Sequence, residues 1–462
     1  MTFLLRVNKH EAPPDRFDRR LLPAMMLSSA LNPVNSSIIS VSLVPIGVAF
    51  GASASETAWL VSALYLATAV GQPVVGRLVD LYGPRWIYLG GTMLAGLAGL
   101  LGVLAPQFWV LVLARVVLGF GTCAGYPASM YLIRSEADRT GKGSPAGVLT
   151  ALAVANQTVT VIGPTLGGLL IHVGGWRTTF AVNIPLALAC LVLGARRIPK
   201  VVVAQRSTLS SLDFPGIGLF TGMLVALLIF LMKPQVAHWY LPVIALLTGI
   251  GLIIREMRIA QPFLDVRVLG GNLPLVATFL RNLLACMVLY CYLYGFTQWL
   301  EQGRGLSAAG AGLVLLPMSL TAIGVSTLTG RRPEIRAKLL VGSLGQVLVA
   351  VVLLTLHSGS AIWLLVVGSM IMGIPQGLNT LANQNALYLQ ADPTRIGSSA
   401  GLLRTSTYFG AIGAAAAGGA FLSSGSSGAG LPSLAGFMLV SSVALVLLTT
   451  LDRSLARLGR SQ

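Results

Sequence analysis

Acidic residues are scarce in this sequence, fourteen among 462, and charged residues of both signs make up only 10% of it. No water-soluble domain covers its surface with so little charge, so a soluble enzyme or scaffold is excluded. Histidines number four: His10 lies in the N-terminal tail, and His172, His238 and His357 stand at the ends of apolar runs. No His/Asp/Glu metal cluster and no Ser/His pair occurs at membrane depth, so neither a metal nor another cofactor is expected and nothing there points to an enzyme. A Gly-x-x-x-x-Gly-Lys-Ser/Thr loop is missing, which argues against direct drive by ATP. The four cysteines, Cys123, Cys190, Cys286 and Cys291, all fall within apolar runs, where a thiol packs as a small apolar side chain. Alternating ten-residue segments are also missing, which excludes an outer-membrane barrel.

What fills the chain instead is apolar sequence, 55% of all residues. A hydrocarbon core of about 30 Å needs roughly 20 apolar residues in a helix. Such runs are predicted near 21–46, 58–79, 86–104, 108–132, 147–172, 178–195, 215–233, 239–254, 273–299, 311–329, 338–356, 361–388, 398–422 and 431–451, fourteen spans in all. The first twenty residues, ending "DRFDRR", are charged and lead directly into a full-length span without a small-residue cleavage site, so no cleavable signal peptide is expected.

An even number of spans puts both termini on one side. That side carries 25 Lys or Arg in its tails and loops, against three, Arg177, Lys233 and Arg304, on the other. The bias makes the termini cytoplasmic. It also accounts for the net charge of +17 as an orientation signal facing anionic lipid headgroups, with no soluble domain to present it to nucleic acid.

Three arginines remain inside spans: Arg115, Arg281 and Arg404. A guanidinium near the bilayer centre costs at least about 2.5–3.5 kcal/mol, so these residues face a protein interior or a wet cavity. For Arg281 and Arg404, close to the cytoplasmic start of their spans, snorkelling to the interface is the alternative.

The first cytoplasmic loop reads "GRLVDLYGPRW" from Gly76 to Trp86. Here Gly76 lets another helix approach, Asp80 can cap the following helix or accept from a nearby arginine, Gly83 can take a positive φ, and Arg85 can anchor at the headgroups. This Gly-x-Leu-x-Asp-x-x-Gly-x-Arg pattern resembles the signature of the major facilitator superfamily. "LARVVLGFG" is similar to the superfamily's fourth-helix motif through Arg115, Gly119 and Gly121. "VIGPTLGG", with Gly163, Pro164, Gly167 and Gly168, looks like the fifth-helix antiporter motif. "GGWRTTFAVNIP" is similar to the start of the sixth helix in the drug:proton antiporters with fourteen spans.

The resemblance implies an all-α fold of two six-helix bundles, at 21–196 and 259–452, with a cytoplasmic linker and two inserted helices at 197–258 and tails at 1–20 and 453–462. It implies a monomeric exporter of amphipathic small molecules in the plasma membrane, working by alternating access with the proton as coupling ion, and a fifth helix that seals the cavity between the halves. The subfamily's first-helix carboxylate is replaced here by Asn35, with Asn32 one turn earlier, and an amide cannot carry a proton. The second half's counterpart of the loop, "TGRRPEIRAK", keeps the basic character and loses the Gly-x-x-x-Asp pattern.

Polar residues at helical spacing suggest what lines the cavity. Gln376, Asn379 and Asn383 share one face beyond a bend at Pro375, and Tyr290, Tyr294 and Gln298 recur every fourth residue with Trp299 beside them. Aromatic faces with scattered amides suit an adaptable amphipathic pocket, and an interhelical hydrogen-bond ladder would give the same pattern. The alternatives are a transporter without proton coupling or one for anionic or lipid-like substrates, and a receptor or scaffold on the same fold, without the long soluble extension such proteins carry.

Overall fold

The protein is seen here as a computed structural model, which describes residues 17–140, 146–200, 213–232, 236–259, 271–306, 308–330, 332, 334–422 and 430–455. The predicted tail at 1–16, linker residues 201–212 and the last residues 456–462 lie outside the described residues. The described chain is all-helical apart from turns and connections.

The first half comprises α1 (Leu22–Phe50), α2 (Ala54–Tyr82), α3 (Pro84–Leu104), α4 (Phe108–Thr122), α5 (Gly125–Thr140), α6 (Ala146–Gly174), α7 (Thr178–Ala181) and α8 (Asn183–Arg197). A pair follows, α9 (Phe214–Met232) and α10 (Tyr240–Glu256). The second half comprises α11 (Leu273–Tyr290), α12 (Ala308–Thr329), α13 (Ile335–Thr355), α14 (Ile362–Gln390), α15 (Ile396–Leu422) and α16 (Gly430–Leu451). Among the described residues, ten helices are long and apolar enough to cross a membrane, or eleven when the bent first helix counts as one span.

Local chemistry sets several boundaries. Ser53 and Glu56 form a capping box at the start of α2, with the Ser53 amide donating to the Glu56 carboxylate at 2.7 Å. Gly83, at φ +83°, breaks α2 from α3, a conformation that β-carbon-bearing residues rarely adopt. The amide of Asn272 caps α11 by accepting from the Leu275 N–H. Beyond Tyr290 the helix widens into π-helical turns at Cys291–Phe296 and Trp299–Gly303, a departure often found at functional positions.

Within the first half, α1 packs on α6 and α3 on α4 and α8; within the second, α14 packs on α12 and α13, α16 on α13, and α11 on α15. The halves meet where α2 runs along α15, α5 meets α15, and α6 meets α12 and α14. One apolar core crosses this boundary: Leu21, Met25, Leu132 and Ile133 of the first half pack in one cluster with Leu387, Tyr388, Ile396 and Leu403 of the second. The pair α9 and α10 leans on that seam through α9, whose Phe220 and Leu224 join Val70 of α2 and Phe409 of α15. Large apolar side chains such as Val48, Val173, Leu328 and Leu451 stand exposed on the outside, as lipid-facing residues do.

Candidate functional site

At the end of the molecule that holds Asp80, the two halves are joined by the loop signature itself. Asp80 accepts from the backbone N–H groups of Gly397 and Ser398, both at 2.8 Å, and from the Ser398 hydroxyl at 2.5 Å. The carboxylate therefore caps the N-terminus of α15, where unsatisfied N–H groups and the helix dipole favour negative charge. These hydrogen-bond donors are in the other half of the protein, whereas the sequence pointed to a cap on the next helix; the expected neighbouring arginine is present as Arg77, whose charge acts on Asp80. Gly76 completes the contact: a β-carbon there would lie 2.3 Å from the Gly397 carbonyl oxygen. The Arg85 guanidinium donates to the carbonyls of Ile198 and, at 2.8 Å, Ala195, closing the C-terminal end of α8. Tyr388 adds a further cross-half contact, its ring 5.6 Å from the Arg134 guanidinium.

From Asp80 the joined surface runs inward. Thr405 donates to the Ala69 carbonyl at 3.1 Å, and Gln157 of α6 shares a hydrogen bond with Ser326 of α12. Deeper still the seam becomes aromatic. The Tyr408 hydroxyl donates to the side-chain oxygen of Asn32 at 3.1 Å, and the Tyr65 and Tyr408 rings lie 5.8 Å apart. Tyr294 tilts against Tyr290 at 5.4 Å. Arg404 of α15 stacks on Tyr126 of α5, its guanidinium carbon 4.1 Å from the ring centroid. Residues of both halves thus form one polar and aromatic centre.

Of the residues expected in a cavity, Asn32, Tyr290, Tyr294 and Arg404 gather there, and Gln298 follows on the same irregular helix. The others are drawn into the interior of their own half. Asn35 and Asn183 form a reciprocal amide pair, at 2.6 and 2.9 Å, that ties α1 to α8. Arg115 donates to the Leu60 carbonyl at 2.8 Å and to the Asn35 carbonyl at 3.3 Å, joining three helices without a carboxylate. Gly119 beside it brings α4 within touching distance of Ala67 and Leu64 on α2. Asn379 packs on Gly342 of α13, Asn383 one turn later is 1% exposed, and Gln376 is half-buried beside Pro375. Arg281 does not snorkel: fully buried, it pairs with Asp452 at 2.5 Å and donates to Thr278 at 2.6 Å.

The antiporter stretch lies on α6, with Pro164 in its helical run and Gly168 facing open space. Gly163 and Gly167 face α1, where β-carbons would meet Ser37 and Val41. The seam lies inside the first half, against the expectation of a seal between halves; α6 reaches the second half through Thr150 and Gln157 at its other end. Gly167→Leu is expected to force α6 from α1 and abolish transport while the protein still inserts. A transport assay on membranes with matched expression checks this, and retained activity would show that the contact is dispensable.

Sequence reading missed Tyr65, Tyr126 and Tyr408. None of the three recurs at helical spacing with other polar residues in a way that marks a face, and only the signals of Asn32 and Arg404 nearby could have suggested them.

These features define a class: an integral membrane protein of two helical halves, clamped together at one end and meeting at its centre in a polar and aromatic cluster. A profile of the Major Facilitator Superfamily matches residues 25–415, and the chain belongs to that superfamily of transporters. It is 32% identical over 403 residues to an uncharacterized MFS-type transporter, YwoD, of Bacillus subtilis (strain 168), covering 85% of this chain and 87% of that one. It is 26% identical over 409 residues to a multidrug resistance protein B homolog of Mycobacterium tuberculosis (strain ATCC 25618 / H37Rv), covering 84% and 74% of the two. The solved structure of the human organic anion transporter MFSD10 (TETRAN) has the same fold, with a TM-score of 0.67 at 16% identity over 94% of this chain and all of that one.

Proposed function

We propose that this transporter exports amphipathic small molecules across the plasma membrane by alternating access, with fourteen spans, both termini in the cytoplasm and the proton as coupling ion. The observation that carries the reading is the Asp80 clamp on α15: a carboxylate held by three donors of the other half is a contact that one state makes and the other must break. With the termini inside, the clamp closes the cytoplasmic end, and the centre around Asn32 and Tyr408 is the place where a substrate changes sides. The relative described as a multidrug resistance protein supports efflux as the direction. Transport without proton coupling is the second reading. It is favoured by the amide pair Asn35–Asn183 standing where a membrane-embedded carboxylate would otherwise carry the proton.

Efflux from proteoliposomes of neutral, anionic and cationic amphiphiles, with and without an imposed pH gradient, tests both. Accelerated efflux against an inward proton gradient is expected; efflux indifferent to pH leaves the second reading, and no movement of any probe removes the exporter. Orientation has its own test. Cysteines at Ser53 and Gly174 should react with an impermeant maleimide added outside whole cells, and one at Arg395 should not; the reverse pattern would invert the protein.

A further inference from the structure

The centre of the molecule carries positive charge that no carboxylate balances. Among the described residues, the ion pairs join Arg134 to Asp138, Arg139 to Glu136, Arg255 to Asp213 and Arg281 to Asp452, and Arg404 is in none of them. Its guanidinium lies over the Tyr126 ring, 4.1 Å from the centroid, and Tyr408 stands one turn further along the same helix. A neutral ring orients a cation and does not cancel it. The second positive charge at this depth, Arg115, is 2% exposed and directed at the Leu60 and Asn35 carbonyls. Of the nearest acids, Asp80 is held at the α15 N-terminus and Glu56 in its capping box with Ser53, while Glu301 is exposed at the far end of its helix. A ligand at the centre therefore meets one accessible cation, several tyrosine faces and the Asn32 amide, and no anion.

We infer that the site takes aromatic organic anions, with the carboxylate or sulfonate of the ligand on Arg404 and its ring system between Tyr65, Tyr126, Tyr290 and Tyr408. The inference rests on the exporter reading for the use of the site and deepens it by assigning the charge and shape of the cargo. A planar guanidinium presents paired donors that match a carboxylate or sulfonate and bind it with charge-assisted hydrogen bonds. Tyrosines add stacking area and hydroxyl donors around the ring. A lipophilic cation of the same shape would meet like charge in a site of low dielectric constant and is disfavoured. The same geometry couples binding to movement. Arg404 and Tyr408 belong to the second half and contact Tyr126 and Asn32 of the first, so an anion that engages Arg404 competes with a contact holding the halves together.

Fluorescein and rhodamine 123 share a three-ring core and differ in charge, and they make the test direct. The full-length protein in lipid nanodiscs should bind fluorescein roughly tenfold or more tightly than rhodamine 123 by fluorescence anisotropy. Arg404→Gln should remove that preference by weakening fluorescein alone, and Arg404→Lys, which keeps the charge, should retain most of it. If Arg404→Gln does not fold, the wild-type preference and its decline with rising salt read the same interaction. Equal or tighter binding of rhodamine 123, binding of neither dye, or fluorescein affinity unchanged in Arg404→Gln overturns the inference. Efflux separates it from the reading beneath it: pumping of rhodamine 123 without a fluorescein preference keeps the exporter and removes the anion site. Arg404-dependent fluorescein binding with no probe transported keeps the site and removes the exporter.

Discussion

Asp80→Asn is expected to release the closed end and reduce transport by more than tenfold, although it changes a single oxygen to an amide nitrogen. The carboxylate accepts three hydrogen bonds, from the N–H groups of Gly397 and Ser398 and the Ser398 hydroxyl. An asparagine keeps one acceptor oxygen and turns an NH2 donor toward the remaining donors. A hydrogen bond to a charged group contributes about 1.5–3 kcal/mol, and an anion at a helix N-terminus about 0.3–2 kcal/mol. Removing even half of this moves a two-state equilibrium between closed and open forms by roughly tenfold to a hundredfold. The measurement is the reactivity of a cysteine placed at Gln72, which lies buried behind the clamp beside Gly401, together with efflux from proteoliposomes. Faster labelling with slower efflux is the expected pair of results. Wild-type values for both would mean that the clamp does not govern the switch.

Asp452→Ala is expected to destabilise the second half by about 3–5 kcal/mol, the usual effect of removing one partner from a buried ion pair. Arg281 has no exposed surface, and the carboxylate of Asp452, just beyond α16, is its charge partner at 2.5 Å. Truncation leaves a guanidinium buried and uncompensated. The double change Arg281→Met with Asp452→Leu should recover much of the loss, because an apolar pair of similar volume avoids both desolvation terms. Thermal unfolding of the purified protein in detergent compares the three; a single variant as stable as wild type would show that Arg281 finds another partner. The pair also has a pH signature. Burial pushes the Asp452 carboxyl up, but hydrogen bonds from Ser454 and Arg281 and the guanidinium charge outweigh it and hold the group below the usual carboxylate range. A carboxyl lowered on folding contributes stability at pH values above its unfolded value. That contribution is lost only as pH falls through the lower, folded value, so the pair stays intact across neutral and mildly acidic pH.

The class of protein was open to reading before any coordinates. Apolar runs with short charged breaks leave helices across a bilayer as the main solution, because backbone groups in hydrocarbon must be satisfied within the segment. Gly83 announced the break between α2 and α3 because its positive φ is a property of one residue. Gly76 announced a close approach for the same local reason, although not what would approach.

Which residues face the centre was not legible, because helical spacing gives a face but not the neighbour that it meets. Asn379 turns to Gly342 of α13, and Asn383 one turn on is buried. Arg281 and Arg404 look alike in sequence, yet one meets a carboxylate 171 residues away and the other an aromatic ring in the opposite half. Sequence determined that this chain is a membrane-embedded helical protein with a glycine-bounded acidic loop, since hydropathy and backbone permissiveness act over one turn or one span, and it was the resemblance of its motifs that pointed to a transporter. Tertiary structure alone decided that Asp80 caps α15, that Asn35 is held by Asn183, and that Arg404 stands at the centre without a counterion among the described residues, since each depends on which helix packing sets beside another far away in the sequence.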